Sequence, residues 1–158
     1  MASLPAPRFE TGRPMLMGGL REVHDFDTAT KTIPAQWARF RSLGELPGQL
    51  GTTTYGITCQ TNWATRQMEY MCAHEVQDLA ALPADVGRMR VPAAHYAVFQ
   101  HPGPVATLPA TWAHIWNEWY PASGLTAAPT PDFEVYGPAY NPLTGLGGIA
   151  IYFPVLTP

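Results

Sequence analysis

The sequence predicts an α+β fold built from two pseudo-symmetric β-α-β-β repeats, with antiparallel strands and a ligand groove between the repeats. A seven-residue motif occurs twice, at 32–38 and 107–113, with five identical positions and an offset of 75 residues (107 − 32). Each copy follows one strand-like run and precedes two more. The 158 residues are therefore interpreted as a single domain, 1–158, with its repeats at about 9–78 and about 86–156.

Each copy of the motif is predicted to begin a helix. Thr32 and Thr107 are candidate N-caps. The proline two residues later suits a first turn, where its missing N–H has no helical partner to lose. Apolar residues then recur at helical spacing. These stripes consist of Ile33, Trp37 and Phe40 in the first copy, and of Trp112, Trp116 and Trp119 in the second.

Six runs rich in β-branched and aromatic residues are predicted to form the strands. They lie at 15–23, 52–59, 67–76, 89–100, 132–136 and 148–155. Pro92 interrupts the fourth run, so we expect that strand to bend there or to begin pairing after it.

The composition argues against several classes of protein. Only 13% of the residues are charged, the net charge is −3, and no Lys/Arg cluster is present, so direct binding of nucleic acid is not expected. Neither a membrane-length apolar run nor a secretory signal is visible, which predicts a cytoplasmic protein without membrane contact. Cys59 and Cys72 are interpreted as reduced thiols, with a disulfide across a hairpin as the alternative. The lack of ligands at zinc spacing predicts that neither a metal nor another cofactor is bound.

Glu134 is the main candidate functional residue. Side chains alternate along a strand, so Phe133 and Val135 share one face while Glu134 and Tyr136 share the other. If the first pair faces the core, Glu134 is an ordinary exposed acid. If the other face lines a cavity, the chain holds one carboxylate among aromatic side chains, which suits an organic cation. The residues alone leave both alternatives open.

The order and spacing of several segments resemble the GyrI-like effector-binding domain. This bacterial module senses ligands, either fused to AraC-type and MerR-type transcription regulators or alone. The resemblance covers roughly residues 13–156, and it is strongest at 91–99, 115–124 and 131–136, with 55–57 and 151–155 also fitting. It implies two β-α-β-β repeats and a pocket between them that binds hydrophobic cations or drug-like aromatic molecules, as multidrug-binding proteins do.

With this resemblance, Glu134 is expected to supply the pocket carboxylate. Trp116 is a candidate to stack on a flat ligand. Tyr55 and Tyr136 would offer hydroxyl groups to the ligand or to Glu134. Phe99 and Trp37 are expected in the core, with a place in the pocket walls as the alternative. The expected ligand-binding set is thus Glu134, Trp116, Tyr55, Tyr136, Phe99 and Trp37.

Three functions follow from these expectations. The favoured one is a sensor or sequestering protein for a small organic molecule, expected to be cationic and aromatic. Such a protein lacks its own DNA-binding segment and works with a separate regulator or target protein. The second is a hydrolase of reactive small molecules, with Glu134 as general base and Tyr55 or Tyr136 placing the substrate. The third is a protein-interaction module, since the family's namesake inhibits DNA gyrase. Turnover is less favoured than binding alone.

Overall fold

A computed structural model describes residues 4–157 of the chain. The first half contains β1 (Arg8–Gly12), β2 (Met15–Asp25), helix α1 (Ala29–Ser42), β3 (Thr54–Asn62) and β4 (Gln67–Glu75). The second half contains β5 (Gly87–Val91), β6 (Ala94–Gln100), helix α2 (Leu108–His114), a π-helical turn (Ile115–Trp119), helix α3 (Tyr120–Ser123), β7 (Asp132–Tyr136) and β8 (Ile149–Val155). Helices α2 and α3 and the π turn follow one another without a break.

The strands in this part of the chain form one antiparallel sheet in the order β1-β6-β8-β7-β3-β4-β2-β5. The predicted α+β fold and its β-α-β-β units are therefore confirmed: β2-α1-β3-β4 forms one half, and β6, the second helical segment, β7 and β8 form the other. The halves meet where β3 pairs with β7, with Gly56 opposite Glu134.

The sheet curls back on itself, which follows from two short connections. Only residues 92–93 link β5, at one edge, to β6, next to the opposite edge. Residues 13–14 likewise link β1 to β2. Two residues bridge at most about 11 Å between flanking Cα atoms, so the two edges must approach one another. The predicted interruption at Pro92 is confirmed, because it lies between these two strands.

Each face of the curled sheet carries its own apolar core. The inner face is filled by side chains from both halves, among them Met17, Ile57, Met71, Tyr96 and Phe133. The outer face carries the helices. Helix α1 covers Tyr70 and Cys72, and the second helical segment covers Phe99, Ile151 and Phe153. Within the described residues, none of the helices combines the length and the apolar character needed to span a bilayer.

A buried polar residue anchors each helix to the outer face. The Gln36 amide donates to the carbonyls of Leu20 and Tyr70, both at 2.9 Å, and its oxygen lies 2.6 Å from His24 Nε2. The hydroxyl of Thr111, at the corresponding motif position, lies 2.8 Å from Nδ1 of a second histidine, His101. A buried polar group left unpaired costs about 1–3 kcal/mol, so these contacts fix how each helix sits on the sheet.

The first helix begins earlier than the motif predicts. Helix α1 starts at Ala29 with Thr28 as N-cap, so Thr32 and Pro34 lie inside it. The prediction of Thr32 as N-cap was wrong, because its hydroxyl is used instead against His24 Nδ1 at 2.7 Å. In the second copy, Thr107 occupies the N-cap position of α2 and Pro109 lies in the first turn, as predicted. The Thr107 side chain forms no capping hydrogen bond, because its hydroxyl donates to the Pro104 carbonyl at 2.9 Å.

Strand β1 was not predicted. It has five residues, most of them exposed, so its sequence shows little apolar periodicity.

The two cysteines are free thiols. Cys72 packs beneath α1 with Phe40, whereas Cys59 Sγ lies 3.6 Å from Met89 Sδ at the inner core. The two thiols therefore pack in different clusters.

The close approach of β2 and β4 makes Gly19 irreplaceable. A Cβ at Gly19 would lie 1.8 Å from the Cys72 carbonyl oxygen and 2.9 Å from Ala73 Cα. Since both neighbours are backbone atoms, no rotamer change relieves the clash. We expect Gly19→Ala to lower the free energy of unfolding by ~1–3 kcal/mol or more, measured by urea denaturation.

The matched control is Gly137→Ala, because a Cβ there meets no atom of the described residues within 4 Å. This variant is expected to stay within about 0.5 kcal/mol of the wild type. Equal unfolding midpoints for the two variants would contradict the strand spacing at Gly19.

Candidate functional site

The centre of the candidate site is the carboxylate of Glu134, which is 7% exposed. Its Oε1 accepts hydrogen bonds from the hydroxyls of Tyr70 and Tyr136, each at 2.8 Å. Its Oε2 accepts one from the indole Nε1 of Trp112, also at 2.8 Å. Three neutral donors from β4, β7 and α2 therefore hold the carboxylate in place.

The position of this cluster follows from strand alternation and from the repeat. Glu134 and Tyr136 share the outer face of β7, as the sequence predicted. Trp37 of α1 packs edge-on against Tyr136 with ring centroids 5.2 Å apart, and against Tyr70 at 6.4 Å. Trp37 and Trp112 occupy equivalent motif positions, so each repeat sends one tryptophan to the same cluster.

Gly56 makes the space that the cluster occupies. It lies opposite Glu134 across the β3–β7 pair. A Cβ at this position would stand 2.0 Å from the Tyr70 hydroxyl oxygen and 2.5 Å from Glu134 Oε1. Only a residue without a side chain allows the tyrosine of β4 to reach across β3 to the carboxylate.

The electrostatics of the site depend on burial opposed by hydrogen bonds. Burial raises the pKa of Glu134, while the hydrogen bonds from Trp112, Tyr70 and Tyr136 lower it. Burial and the neighbouring carboxylate raise the pKa values of both tyrosines well above the ordinary value. Among residues 4–157, no Arg, Lys or His forms an ion pair with Glu134. The site is thus a buried carboxylate without a counter-charge.

Asp132 is a second unusual acid on the same strand and face. Burial raises its pKa to about 7; the Thr58 hydroxyl lowers the value and repulsion from Glu134 raises it. The sequence analysis did not single out this residue.

A cavity of about 380 Å³ adjoins the Glu134 cluster on the outer face. Trp37 and Tyr136 belong both to its wall and to the cluster, while Glu134 lies behind them. Phe40 and Tyr140 add aromatic surface, and Arg41 stands in the wall as a cation. This size falls within the range of small-molecule pockets, about 300–1,000 Å³.

Of the residues expected to bind ligand, the structure brings Tyr136 and Trp37 together with Glu134. Trp116 lies one helical turn beyond Trp112 and is 41% exposed. It packs on Phe153 with ring centroids 5.0 Å apart and lines a different cavity.

Tyr55 and Phe99 are not brought to the Glu134 cluster. Tyr55 faces the inner core, where its ring packs edge-on against Phe133 at 6.0 Å. Phe99 is 1% exposed and packs against Trp119 at 4.9 Å. The geometry therefore offers Tyr136, and not Tyr55, as a hydroxyl partner for Glu134.

Tyr70 and Trp112 were not among the residues predicted to bind ligand. The motif repeat held the information on Trp112, since Trp37 at the equivalent position was already a candidate. Tyr70 needed the register of β3 with β4, because only that register shows which side chain of β4 passes over Gly56.

Two duplicated halves that share one sheet, with a buried carboxylate and an aromatic cavity near their junction, define a small-molecule binding module. Residues 5–156 match the family model described as the GyrI-like small molecule binding domain. The chain belongs to this family, as the resemblance in its sequence indicated.

Relatives of known sequence or structure support the assignment. The chain is 29% identical over 127 residues to the transcriptional regulator BrlR of Pseudomonas aeruginosa, covering 78% of this chain and 46% of that protein. The chain thus spans about half the length of this curated relative.

Two solved structures share the fold. SAV2435 bound to tetraphenylphosphonium matches with a TM-score of 0.73 at 18% identity, over 95% of this chain and 93% of that one. The integron cassette protein VCH_CASS2 from the mobile metagenome of Vibrio cholerae matches with a TM-score of 0.71 at 18% identity, over 97% of both chains.

Tyr70→Phe tests the hydrogen bonds at Glu134. Removal of a hydroxyl that stabilises the charged carboxylate is expected to raise the pKa of Glu134 further. The titration is followed by ¹³C NMR of the carboxyl groups in protein labelled at glutamate, with Glu134→Gln to assign the signal. Tyr140→Phe is the matched control, because Tyr140 packs on Tyr136 but forms no hydrogen bond to the carboxylate. The same pKa in both variants would refute the Tyr70 contact.

Asp132 is expected to make the protein less stable as the pH rises. Its pKa is about 7 in the folded state against an ordinary value of 3.8, so the folded protein binds this proton more tightly than the unfolded chain. The contribution to stability is complete below pH 3.8 and is lost as the pH rises through about 7.

Asp132→Asn should therefore reduce the loss of stability between pH 4 and pH 7 relative to the wild type. Urea unfolding at each pH provides the measurement, and Asp85→Asn, at an exposed acid, is the control. Parallel pH profiles for the wild type and Asp132→Asn would show that this proton is bound equally in both states.

Proposed function

We propose that this protein binds a hydrophobic, aromatic organic cation with Glu134 as its counter-charge, and that it serves as a ligand sensor or a sequestering protein. The observation that carries the proposal is a carboxylate with 7% exposure whose hydrogen bonds all come from neutral groups. Such a group keeps its negative charge at an energetic cost, which a cation within reach offsets.

The expected interaction energies favour a cation over a neutral molecule as the ligand. A carboxylate and a cation about 4 Å apart attract by ~4 kcal/mol at an effective dielectric constant near 20. Each aromatic face in contact with the cation adds ~0.5–2 kcal/mol. Trp37 and Tyr136 supply aromatic surface in the cavity wall beside the carboxylate, so charge and ring contacts favour the same ligand class.

Binding at Glu134 requires a local rearrangement of side chains. The carboxylate lies behind the edge-on pair of Trp37 and Tyr136, which separates it from the 380 Å³ cavity. We propose that the ligand enters through this cavity and displaces part of the pair. Arg41 in the cavity wall repels a cation, so the charged end of the ligand is directed towards Glu134 and its aromatic body towards Tyr140.

The similarities support the ligand class and the two roles. SAV2435, which shares the fold, binds tetraphenylphosphonium, a large aromatic cation. BrlR, which shares part of its sequence with this chain, is a transcriptional regulator. A sensor role requires a separate protein or a further domain that responds to the occupied site, whereas sequestration requires the binding site alone.

Glu134→Gln tests the counter-charge with two probes of related shape. Tetraphenylphosphonium carries a positive charge, and triphenylphosphine oxide is neutral. We expect the variant to bind the cation at least about tenfold more weakly, which corresponds to ~1.4 kcal/mol, and to bind the neutral probe almost as the wild type does. Calorimetric titration gives both affinities, and quenching of tryptophan fluorescence reports occupancy beside Trp37 and Trp112.

Glu118→Gln is the control, because it removes an exposed carboxylate from the π turn and should leave both affinities unchanged. An equal loss of affinity for both probes in Glu134→Gln would refute the role of Glu134 as counter-charge. It would indicate that Glu134 contributes only to the shape of the site.

A further inference from the structure

A second cavity, of about 410 Å³, lies on the outer face at the opposite end of β7 from Tyr136. We call it the Asp132 cavity. Its wall includes Asp132 and Thr130 at the start of β7, Trp63 at the β3–β4 turn, and Trp116 in the π turn. It shares no lining residue with the 380 Å³ cavity, so the two are separate sites on the structure.

The Asp132 cavity repeats the carboxylate–tryptophan pairing of the Glu134 cluster. Asp132 precedes Glu134 by two residues on the same strand face, a step of about 6.7 Å. Trp116 follows Trp112 by four residues in the helical segment, a step of about 6 Å. Asp132 and Trp116 line the same cavity. Trp116 belongs to a π-helical turn, a feature often found at functional sites.

The two sites differ in how much hydrogen-bonding capacity their oxygen atoms leave unused. Glu134 already accepts three hydrogen bonds. Asp132 is half-buried and, within the described part of the chain, no cationic side chain pairs with it. The Thr130 hydroxyl oxygen is buried without any hydrogen-bond partner in the described residues. Asp132 accepts one hydrogen bond, from the Thr58 hydroxyl, so Asp132 and Thr130 both keep capacity to accept a further hydrogen bond from an N–H donor.

The aromatic groups of the cavity are unusually accessible. Trp63 is 74% exposed and Trp116 is 41% exposed. Trp63 packs edge-on against Phe26 with ring centroids 5.4 Å apart, which gives it a support on one side. Large exposed aromatic side chains beside a polar hollow are typical of a binding surface.

We propose that the Asp132 cavity is a second binding site, selective for a protonated aromatic amine. The ammonium N–H groups donate to Asp132 and Thr130, and the aromatic ring of the ligand lies against Trp63 or Trp116. A quaternary cation lacks the N–H groups that this pair of oxygens requires, so the two sites of the protein differ in the cations they prefer. This inference does not depend on ligand binding at Glu134.

The charges around Asp132 make this site sensitive to pH near neutrality. Within the described residues, the titratable groups that interact with Asp132 are Glu134 on the same strand and Cys59, whose thiol packs on the inner side of β3. Burial raises the pKa of the Cys59 thiol to about 12, so it stays neutral. Asp132, with a pKa of about 7, gains its charge as the pH rises, while an alkylammonium group stays protonated up to about pH 10.

Calorimetric titration with 2-phenylethylamine tests the proposal, with its N,N,N-trimethyl derivative and 2-phenylethanol as matched probes. At pH 8 we expect the amine to bind at least about tenfold more tightly than either analogue. Affinity for the amine should fall about tenfold between pH 8 and pH 6, because a carboxyl group with a pKa of about 7 changes its ionised fraction by that factor. Absence of amine binding, or equal affinity for the trimethyl derivative, would overturn the proposal.

Two variants locate the amine. Asp132→Asn and Thr130→Val are each expected to weaken amine binding about tenfold, while Thr130→Val, which removes no charge, keeps the wild-type affinity for tetraphenylphosphonium. In NMR spectra, the indole N–H signals of Trp63 and Trp116 should shift on adding the amine. Amine binding that survives both substitutions, or shifts confined to Trp37 and Trp112, would assign the amine to the other cavity and refute the proposal.

Glu134→Gln separates this proposal from the one concerning Glu134. The variant should still bind the amine, and the midpoint of the pH dependence should move to lower pH, because a repulsion that raises the pKa of Asp132 is removed. Glu118→Gln should leave amine binding and its pH dependence unchanged. Amine binding lost in Glu134→Gln but kept in Asp132→Asn would overturn the second site.

Discussion

The pairing of β3 with β7 is the constraint on which the candidate site depends. It joins the two halves of the sheet, and its register sets Gly56 opposite Glu134. The glycine leaves room for the Tyr70 hydroxyl from one half, and α2 brings the Trp112 indole from the other. A shift of this register by one residue would turn Glu134 to the inner core, because alternate side chains point to opposite faces.

Burial of the two acids at the site costs folding free energy, and the proposed ligand binding depends on those acids. Two acids on one face of β7 have raised pKa values because burial penalises their charged forms. Neutral hydroxyl and indole donors offset this penalty at Glu134 without cancelling its charge. A partner arginine would leave no unpaired charge for a cationic ligand to neutralise, so the neutral donors agree with the proposed function.

The sequence predicted the fold well because its information is local and repeated. The 75-residue offset and strand alternation located both helices and placed Glu134 and Tyr136 on a common face. The remaining features depend on pairing between distant strands. Tyr55 points away from Glu134 because its neighbour Gly56 is the residue opposite that acid, and β1 pairs with β6 across more than 80 residues of chain. Neither of these strand registers can be read from the local periodicity of the sequence.

The two acids of β7 also link the two proposed sites to each other. A cation at Glu134 would neutralise the repulsion that raises the pKa of Asp132, so Asp132 would ionise at lower pH and accept an amine more readily. The coupling is reciprocal, as any equilibrium linkage must be. Below the pKa of Asp132, the easier ionisation opposes a loss, because the first cation also removes the attraction of Glu134 for the second. Above that pKa Asp132 is already charged, so only the loss remains. The pH therefore sets how strongly occupancy of one site weakens binding at the other.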